Sequence, residues 1–344
     1  MSATILEIAR RLNLSHSTVS RVLNGKRNTA VADETRSRVL KAAREMGYRP
    51  NLAARSMRDA RSNLVALFAS PMIGIWSSIA PDIVRGITPV LQEHRLDLFY
   101  AFAGEANPDA IPAIPPWRYD AALIFQFPTT ETVERLRASG RPAVTVNERV
   151  DGFPGVLSDE ADGIRQAIKH LVDLGHRRIA YANASGDFHF PHYSVQERHA
   201  AYVATLRDYG LSPVPGHEHR PPDRQRIAAV RQAFVEGHAT AVITYDHVVA
   251  MDVVAAAEAL RLRIPEDLSL ISFNNAFPLE RLQPAVTVVD PDGTALGAEA
   301  ARRLIARITD QADEPTTVKE SPSDVPTRVR PRMILRESTR SVSS

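Results

Sequence analysis

Thr4-Ile5-Leu6-Glu7-Ile8-Ala9-Arg10-Arg11-Leu12-Asn13-Leu14-Ser15-His16-Ser17-Thr18-Val19-Ser20-Arg21-Val22-Leu23-Asn24-Gly25 spells two short helices and the turn between them. Ile5, Ile8, Ala9 and Leu12 recur at helical spacing, with Arg10 and Arg11 on the opposite face. Thr4 stands where an N-cap belongs, and Glu7 three residues later completes a capping box. Asn13 interrupts the pattern. A tight turn between helices needs a residue at positive φ, which glycine adopts best and asparagine tolerates. Ser15 opens the second helix as its cap, Thr18, Val19, Val22 and Leu23 give it an apolar face, and Asn24-Gly25 closes it. Helix, short turn, helix is the geometry that lays a second helix into a DNA major groove. The residues free to read base edges are His16, Ser17 and Arg21, with Ser20 and Asn24 nearby; arginine suits guanine O6 and N7. A third helix is predicted from Glu34 to Met46, turning Val39, Leu40 and Ala43 to the core. The same pattern fits a plain three-helix bundle with a solvated basic face.

Charge separates these readings. Of the 344 residues, the first 61 hold 13 Lys/Arg against 5 Asp/Glu, whereas the remainder hold 29 against 35. The whole-chain net of +2 hides a basic head on a mildly acidic body, which points to one module for nucleic acid and another for something else. The chain has no cysteine, which excludes a disulfide framework, a thiolate nucleophile and a cysteine metal site. Met1 to Arg11 lacks the apolar region of a signal peptide, and no apolar run approaches the ~18 residues of a membrane span. A cytoplasmic protein is expected.

From Leu64 onward apolar runs alternate with amphipathic stretches, the pattern of a parallel α/β sheet. Strands are predicted at Leu64–Ala69, Asp97–Phe102, Ala121–Phe125, Ala143–Asn147, Arg178–Ala182, Ala241–Thr244, Leu268–Phe273 and Ala285–Val289. Helices are predicted between them, including Pro81–His94, Gly163–Leu174, Val195–Tyr209, Arg224–Glu236, Asp246–Leu260 and Thr294–Ile308. These lengths suit two similar lobes, and ligands of such sheets gather at strand C-terminal ends. The chain carries no G-x-G-x-x-G, no G-x-x-x-x-G-K-[ST] and no G-x-S-x-G, and it calls for no cofactor and no metal. A two-lobed α/β enzyme, a solute-binding protein acting on a sugar or nucleoside, and a non-specific DNA-architectural protein are the alternatives.

Ser15-His16-Ser17-Thr18-Val19-Ser20-Arg21-Val22-Leu23-Asn24 resembles the recognition helix of the lactose-repressor (LacI/GalR) family. Thr35-Arg36-Ser37-Arg38-Val39 and Gly47-Tyr48-Arg49-Pro50-Asn51-Leu52-Ala53-Ala54-Arg55 continue the likeness in order and spacing. Asn13 departs from it, since the family usually has glycine there. The resemblance assigns His16, Ser17 and Arg21 to bases, and Thr4, Ser15, Thr18, Ser20 and Asn24 to the same DNA surface. It places Asn51, Ala54, Arg55 and Met57 in a hinge helix that enters the minor groove, Met57 standing where a leucine wedge is usual.

In the body, Leu174-Gly175-His176-Arg177-Arg178-Ile179-Ala180 resembles the family's entry into its second lobe. Ile264 to Phe273 and Arg332 to Ser338 resemble two of its later strands. The fold implied is an all-α helix-turn-helix domain (1–49), a hinge helix and linker (50–61), and a two-lobed effector domain similar to periplasmic sugar-binding proteins (62–344). Its first lobe takes 62–158 and 291–323, and its second takes 159–290 and 324–344. The function implied is a repressor controlled by a sugar-like small molecule; with no heptad-rich tail, a homodimer is expected.

Arg198 matches an arginine that family members place on the effector, and Asp162 and Asp246 match other cleft positions. On that reading, Arg198→Ala leaves DNA binding intact and abolishes the ligand response. Ser70, Trp76, Phe190, Tyr245 and Asn274 complete the candidate effector site. Asn274-Asn275 stands where many sugar-responsive relatives carry aspartate; asparagine both donates and accepts, which keeps a neutral polar ligand in play. Phe188 to Tyr193 offers an aromatic wall, and His189 and His192 lack the carboxylates of a metal site.

Overall fold

The computed structural model describes residues 3–23, 31–48, 61–69, 79–102, 114, 116–125, 130–183, 192–214, 237–313 and 325–342. They divide into two compact units between Ser62 and Asn63. The predicted helix Arg224–Glu236 lies outside the described residues.

The first unit holds α1 (Ile5–Leu12), α2 (His16–Leu23) and α3 (Asp33–Glu45) around Ile8, Ala9, Val19, Val22, Val39, Ala42 and Ala43. The capping box forms as spelled: Glu7 N–H donates to Thr4 Oγ1 at 3.3 Å and Thr4 N–H to Glu7 Oε2 at 2.8 Å. Asn13 takes the left-handed turn, with φ 52° and ψ 46°. Leu40 corrects the expected core, being 41% exposed. At ~100° per residue, Val39, Ala42 and Ala43 share a face and Leu40 falls off its edge.

The second unit is built on two sheets. The first is parallel, in the order β10-β5-β4-β3-β1-β2, from β1 (Leu64–Ala69), β2 (Asp97–Phe102), β3 (Ala121–Phe125), β4 (Ala143–Val146), β5 (Gly155–Ser158) and β10 (Thr327–Val329). The other runs β11-β9-β8-β7-β6, from β6 (Ile179–Ala182), β7 (Ala241–Thr244), β8 (Ser269–Phe273), β9 (Thr287–Asp290) and β11 (Arg332–Ile334), with only β11 antiparallel. Strands such as Ala-Ala-Leu-Ile-Phe are apolar throughout because helices cover both faces. On the first sheet, α4 (Ala80–Glu93) and α10 (Gly293–Asp313) bury Val65, Leu67, Leu123, Ile83, Ile87 and Leu296. α5 (Thr130–Ser139) adds Leu136 to Phe68 and Tyr119 on the other face. α4 and α10 meet backbone to backbone at Gly86 and Gly297, where an added Cβ would lie 2.0 Å from a carbonyl oxygen of the facing helix. On the second sheet, α6 (Glu160–Asp173) and α7 (Tyr193–Asp208) cover one face. α8 (His247–Ala259) and α9 (Phe277–Arg281) cover the other.

The chain passes between the lobes three times: from β5 to α6, from β9 to α10, and from β10 to β11. The last passage corrects the expected boundary at 324. Thr327–Val329 pairs with β5 of the first sheet, so the return falls after Val329. Three residues carry too little alternation to be read as a strand.

Candidate nucleic-acid interface and interlobe site

In α2 the apolar side chains Val19 and Val22 are buried against the head's core, while Ser15, His16, Ser17 and Arg21 are exposed. Ser15 fixes the start of the helix, its Oγ accepting from Thr18 N–H at 3.1 Å and lying 2.8 Å from Thr18 Oγ1. Thr18 and Ser20 are half-buried, and Thr4 is engaged with Glu7 as the cap of α1. Positions 16, 17, 20 and 21 lie on one side of a helix, so the polar groups form a single strip. Asn24, Asn51, Ala54, Arg55 and Met57 lie outside the described residues.

At the other candidate site, the first turns of α7 meet the C-terminal ends of β4 and β5. His192 caps α7: its Nδ1 lies 2.7 Å from Ser194 Oγ, and its Nε2 lies 2.7 Å from the Asn147 carbonyl. A carbonyl only accepts, so the proton sits on Nε2 and Nδ1 accepts from Ser194, whose Oγ lies 2.9 Å from the Tyr245 hydroxyl. The Tyr193 hydroxyl donates to Asn147 Oδ1 at 2.9 Å and accepts from Ser158 N–H at 3.2 Å. One turn on, Glu197 accepts from Arg328 at 2.7 and 2.9 Å and from Arg149 at 2.5 Å, both on the first lobe. Burial works against the Glu197 charge, but the two guanidiniums hold its carboxyl below the usual range. Asn147 itself leaves β4 with φ 51°.

Arg198 lies beneath this seam. It is 4% exposed; its Nε donates to Glu160 Oε2 at 2.5 Å and its Nη1 to the Tyr245 carbonyl. Its guanidinium is 4.1 Å from the Phe273 ring centroid and 4.8 Å from that of Tyr245. Burial favours losing the charge, yet the Glu160 carboxylate outweighs it and holds the arginine's pKa above its ordinary value. The expectation that Arg198→Ala touches only the ligand response does not fit this setting. The side chain also balances a buried acid.

Tyr245 and Asp246 follow β7, and Asn274 follows β8 with φ 67°. Thr244 and Ser272 are register partners, so Asp246 and Asn274, each two residues on, both leave the sheet at its C-terminal edge. Asp246 caps α8, accepting from Val249 N–H at 2.9 Å. Asp162 is not joined to the Arg198 cluster. It accepts from Gln166 at 2.7 Å and Arg330 at 2.9 Å, bonds that outweigh burial and hold its carboxyl below the usual range. Ser70, Trp76 and Phe190 lie outside the described residues.

Sequence reading missed Glu160, Asn147, Glu197 and the partners Arg149 and Arg328. Asn147 ended a predicted strand, which was a usable signal; the others are ordinary charged residues until folding brings 149, 197 and 328 together. Among the described residues no cluster of acids and histidines could hold a metal ion, and no helix is long and apolar enough to cross a membrane.

A helix-turn-helix head on a two-lobed α/β body defines a DNA-binding regulatory protein. Residues 4–51 match the family model for bacterial regulatory proteins of the lacI family, and residues 168–339 match the periplasmic binding protein-like domain. The regulator AglR of Rhizobium meliloti is 30% identical over 339 residues, spanning 92% of this chain and 90% of its own. The fold is shared with the lac repressor dimer bound to operator and an anti-inducer (TM-score 0.76, 20% identity, 99% of this chain and 100% of that one). It is shared too with the CelR–cellobiose complex (TM-score 0.64, 24% identity, 98% and 99%). The chain belongs to the LacI family of transcriptional regulators, which are regulators and not enzymes.

Proposed function

We propose that this protein is a cytoplasmic repressor that binds a near-palindromic operator as a homodimer and is controlled by a sugar-like molecule between its lobes. The observation that supports the DNA reading is the exposed strip His16, Ser17 and Arg21 opposite buried Val19 and Val22. Two such helices in successive major grooves, roughly one helical turn apart, require a site with matching symmetry. Thr4, Ser15, Thr18, Ser20 and Asn24 support the same surface, and Asn51, Ala54, Arg55 and Met57 would follow it into the minor groove.

The effector site is proposed at the strand C-terminal ends, from Asp246 and Asn274 at the sheet edge with Tyr245 and Arg198 bonded to each other there; Asp162, and Ser70, Trp76 and Phe190 outside the described residues, belong to the same proposal. Relatives of this architecture have been captured with an operator and with cellobiose. A ligand acts here only by binding one lobe arrangement better than the other.

Selection of bound sequences from random duplex DNA tests the first half. Enrichment of one near-palindrome is the expected result, and an unenriched pool would favour an architectural protein. Thermal shift against a carbohydrate panel tests the second half: a ligand at 100 times its Kd adds about 2.7 kcal/mol.

A further inference from the structure

At the lobe seam, the arginines are paired with carboxylates before any ligand arrives. Arg198 is matched by Glu160, Arg149 and Arg328 by Glu197, Arg330 by Asp162, and Arg332 by Asp292. Asp246 stands at the same edge with no cation paired to it among the described residues. The Glu160–Arg198 pair is the most enclosed of these, at 1% and 5% side-chain exposure. Two buried hydroxyls have no hydrogen-bond partner among the described residues: Ser158 Oγ, at the end of β5, and Tyr181 Oη, on β6 and within electrostatic reach of Arg198, Tyr245, Glu160 and Asp246. Buried hydroxyls without partners cost free energy unless a further polar group completes them.

We propose that Glu160 is the residue that sets the charge of the effector: by neutralising Arg198 it makes the interlobe site accept an uncharged polyhydroxy molecule and reject phosphate and carboxylate groups. This rests on the effector reading above. An arginine facing a ligand would ordinarily attract an anion and fork onto it. Here the Nε edge of the guanidinium is already on a carboxylate, so an anionic ligand brings a third charge with no counter-charge. It would face Glu160 and Asp246 across a seam that screens poorly compared with water. A ligand hydroxyl meets no such opposition. It can donate to Asp246, and both donate to and accept from Ser158, Tyr181 and Asn274.

Full-length wild type, Glu160→Gln and Glu160→Gln/Arg198→Gln are compared by thermal unfolding in sodium phosphate and in sodium chloride of equal ionic strength. Glu160→Gln leaves a buried guanidinium without its partner, so phosphate raises its melting temperature. The wild type and the double variant show no such difference beyond the contribution of the basic head, which is common to all three. Equal response in all three proteins, or no response in a folded Glu160→Gln, overturns the proposal.

Independently, the wild type is titrated with glucose, ribose and cellobiose and with glucose 6-phosphate and glucuronate. Any sugar that binds is uncharged and at least about tenfold tighter than its charged counterpart. Binding of glucose 6-phosphate or glucuronate refutes the charge filter and leaves the effector reading standing. Silence across the panel counts against the effector reading, and the phosphate comparison still decides the role of Glu160. A Glu160→Gln chain that fails to fold, together with a silent panel, makes the pair purely structural and overturns the proposal.

Discussion

Replacing Arg198 by methionine preserves the aliphatic volume between the Phe273 and Tyr245 rings and deletes the charge. Glu160, 1% exposed, then loses its ion pair and among the described residues keeps the distant Tyr193 hydroxyl at 3.5 Å. Breaking a buried pair by removing one partner costs about 3–5 kcal/mol, far more than an exposed pair, because a desolvated charge is left behind. Loss of the two ring–cation contacts adds about 1–2 kcal/mol, and methionine–aromatic contact returns about 0.3–1.5 kcal/mol, so the total stays near 3–5 kcal/mol. In a unit of this size each kcal/mol moves Tm by about 2–4 °C, which places the expected fall at roughly 6–20 °C. Differential scanning calorimetry of the full chain reads it from the larger unfolding transition. The companion Glu160→Gln/Arg198→Met removes both charges and should recover at least half of the loss, since the cost lies in the orphaned acid. An Arg198→Met body within about 1 kcal/mol of wild type would refute the reasoning by showing that water reaches Glu160.

In the head, Arg21→Ala should cost about 1–3 kcal/mol of operator affinity and relax specificity at one base position; equal loss on every sequence would make Arg21 a phosphate contact. Asn13→Gly should leave the head's stability within about 0.5 kcal/mol, whereas Asn13→Ala should lose about 1 kcal/mol because the φ of 52° that the turn requires is strained for alanine. Gly297→Ala should lower the body's Tm, since the new Cβ meets the Ile83 carbonyl at 2.0 Å and overpacking costs about 1–3 kcal/mol; an unchanged Tm would mean the two helices separate freely. Burial holds His176 and His170 below the ordinary histidine range, so the unfolded chain binds protons that the folded chain refuses. Stability should therefore fall as pH drops from about 7 towards 5, and a Tm flat across that window would show both rings protonated at no cost.

The head was legible almost residue by residue because its determinants are local: a cap and its answering glutamate, a residue that tolerates positive φ, and apolar spacing over a few turns. Leu40 was misplaced because one position of helical phase separates core from surface. In the body, long apolar strands such as Leu64–Ala69 and Ala121–Phe125 were found at their true limits. The short β5 and β10 were missed, since four and three residues carry little alternation and β10 exists only by pairing with β5 some 170 residues earlier in the chain. The seam was the least legible part. Arg198 was singled out, but its partner Glu160 stands 38 residues away, and the acid singled out there was Asp162, two residues on. Likewise Glu197 acquires meaning only when Arg149 and Arg328 arrive beside it.

The three passages between the lobes also determine how this molecule can move. Ser158 and Val329 are register partners at one lobe's edge, and Asp290 and Arg332 are register partners at the other's. All three connections are thus gathered on one margin, like neighbouring pins of a door. Sliding and twisting would stretch one connection against another, leaving a single swing as the soft motion. Whatever touches both lobes is then reported as one angle, whichever residues it touches. The α7 contacts with Asn147, Arg149 and Arg328 begin beside those pins, Arg328 preceding Val329 in β10 and Tyr193 bonding Ser158, so they brace the swing close to its pivot.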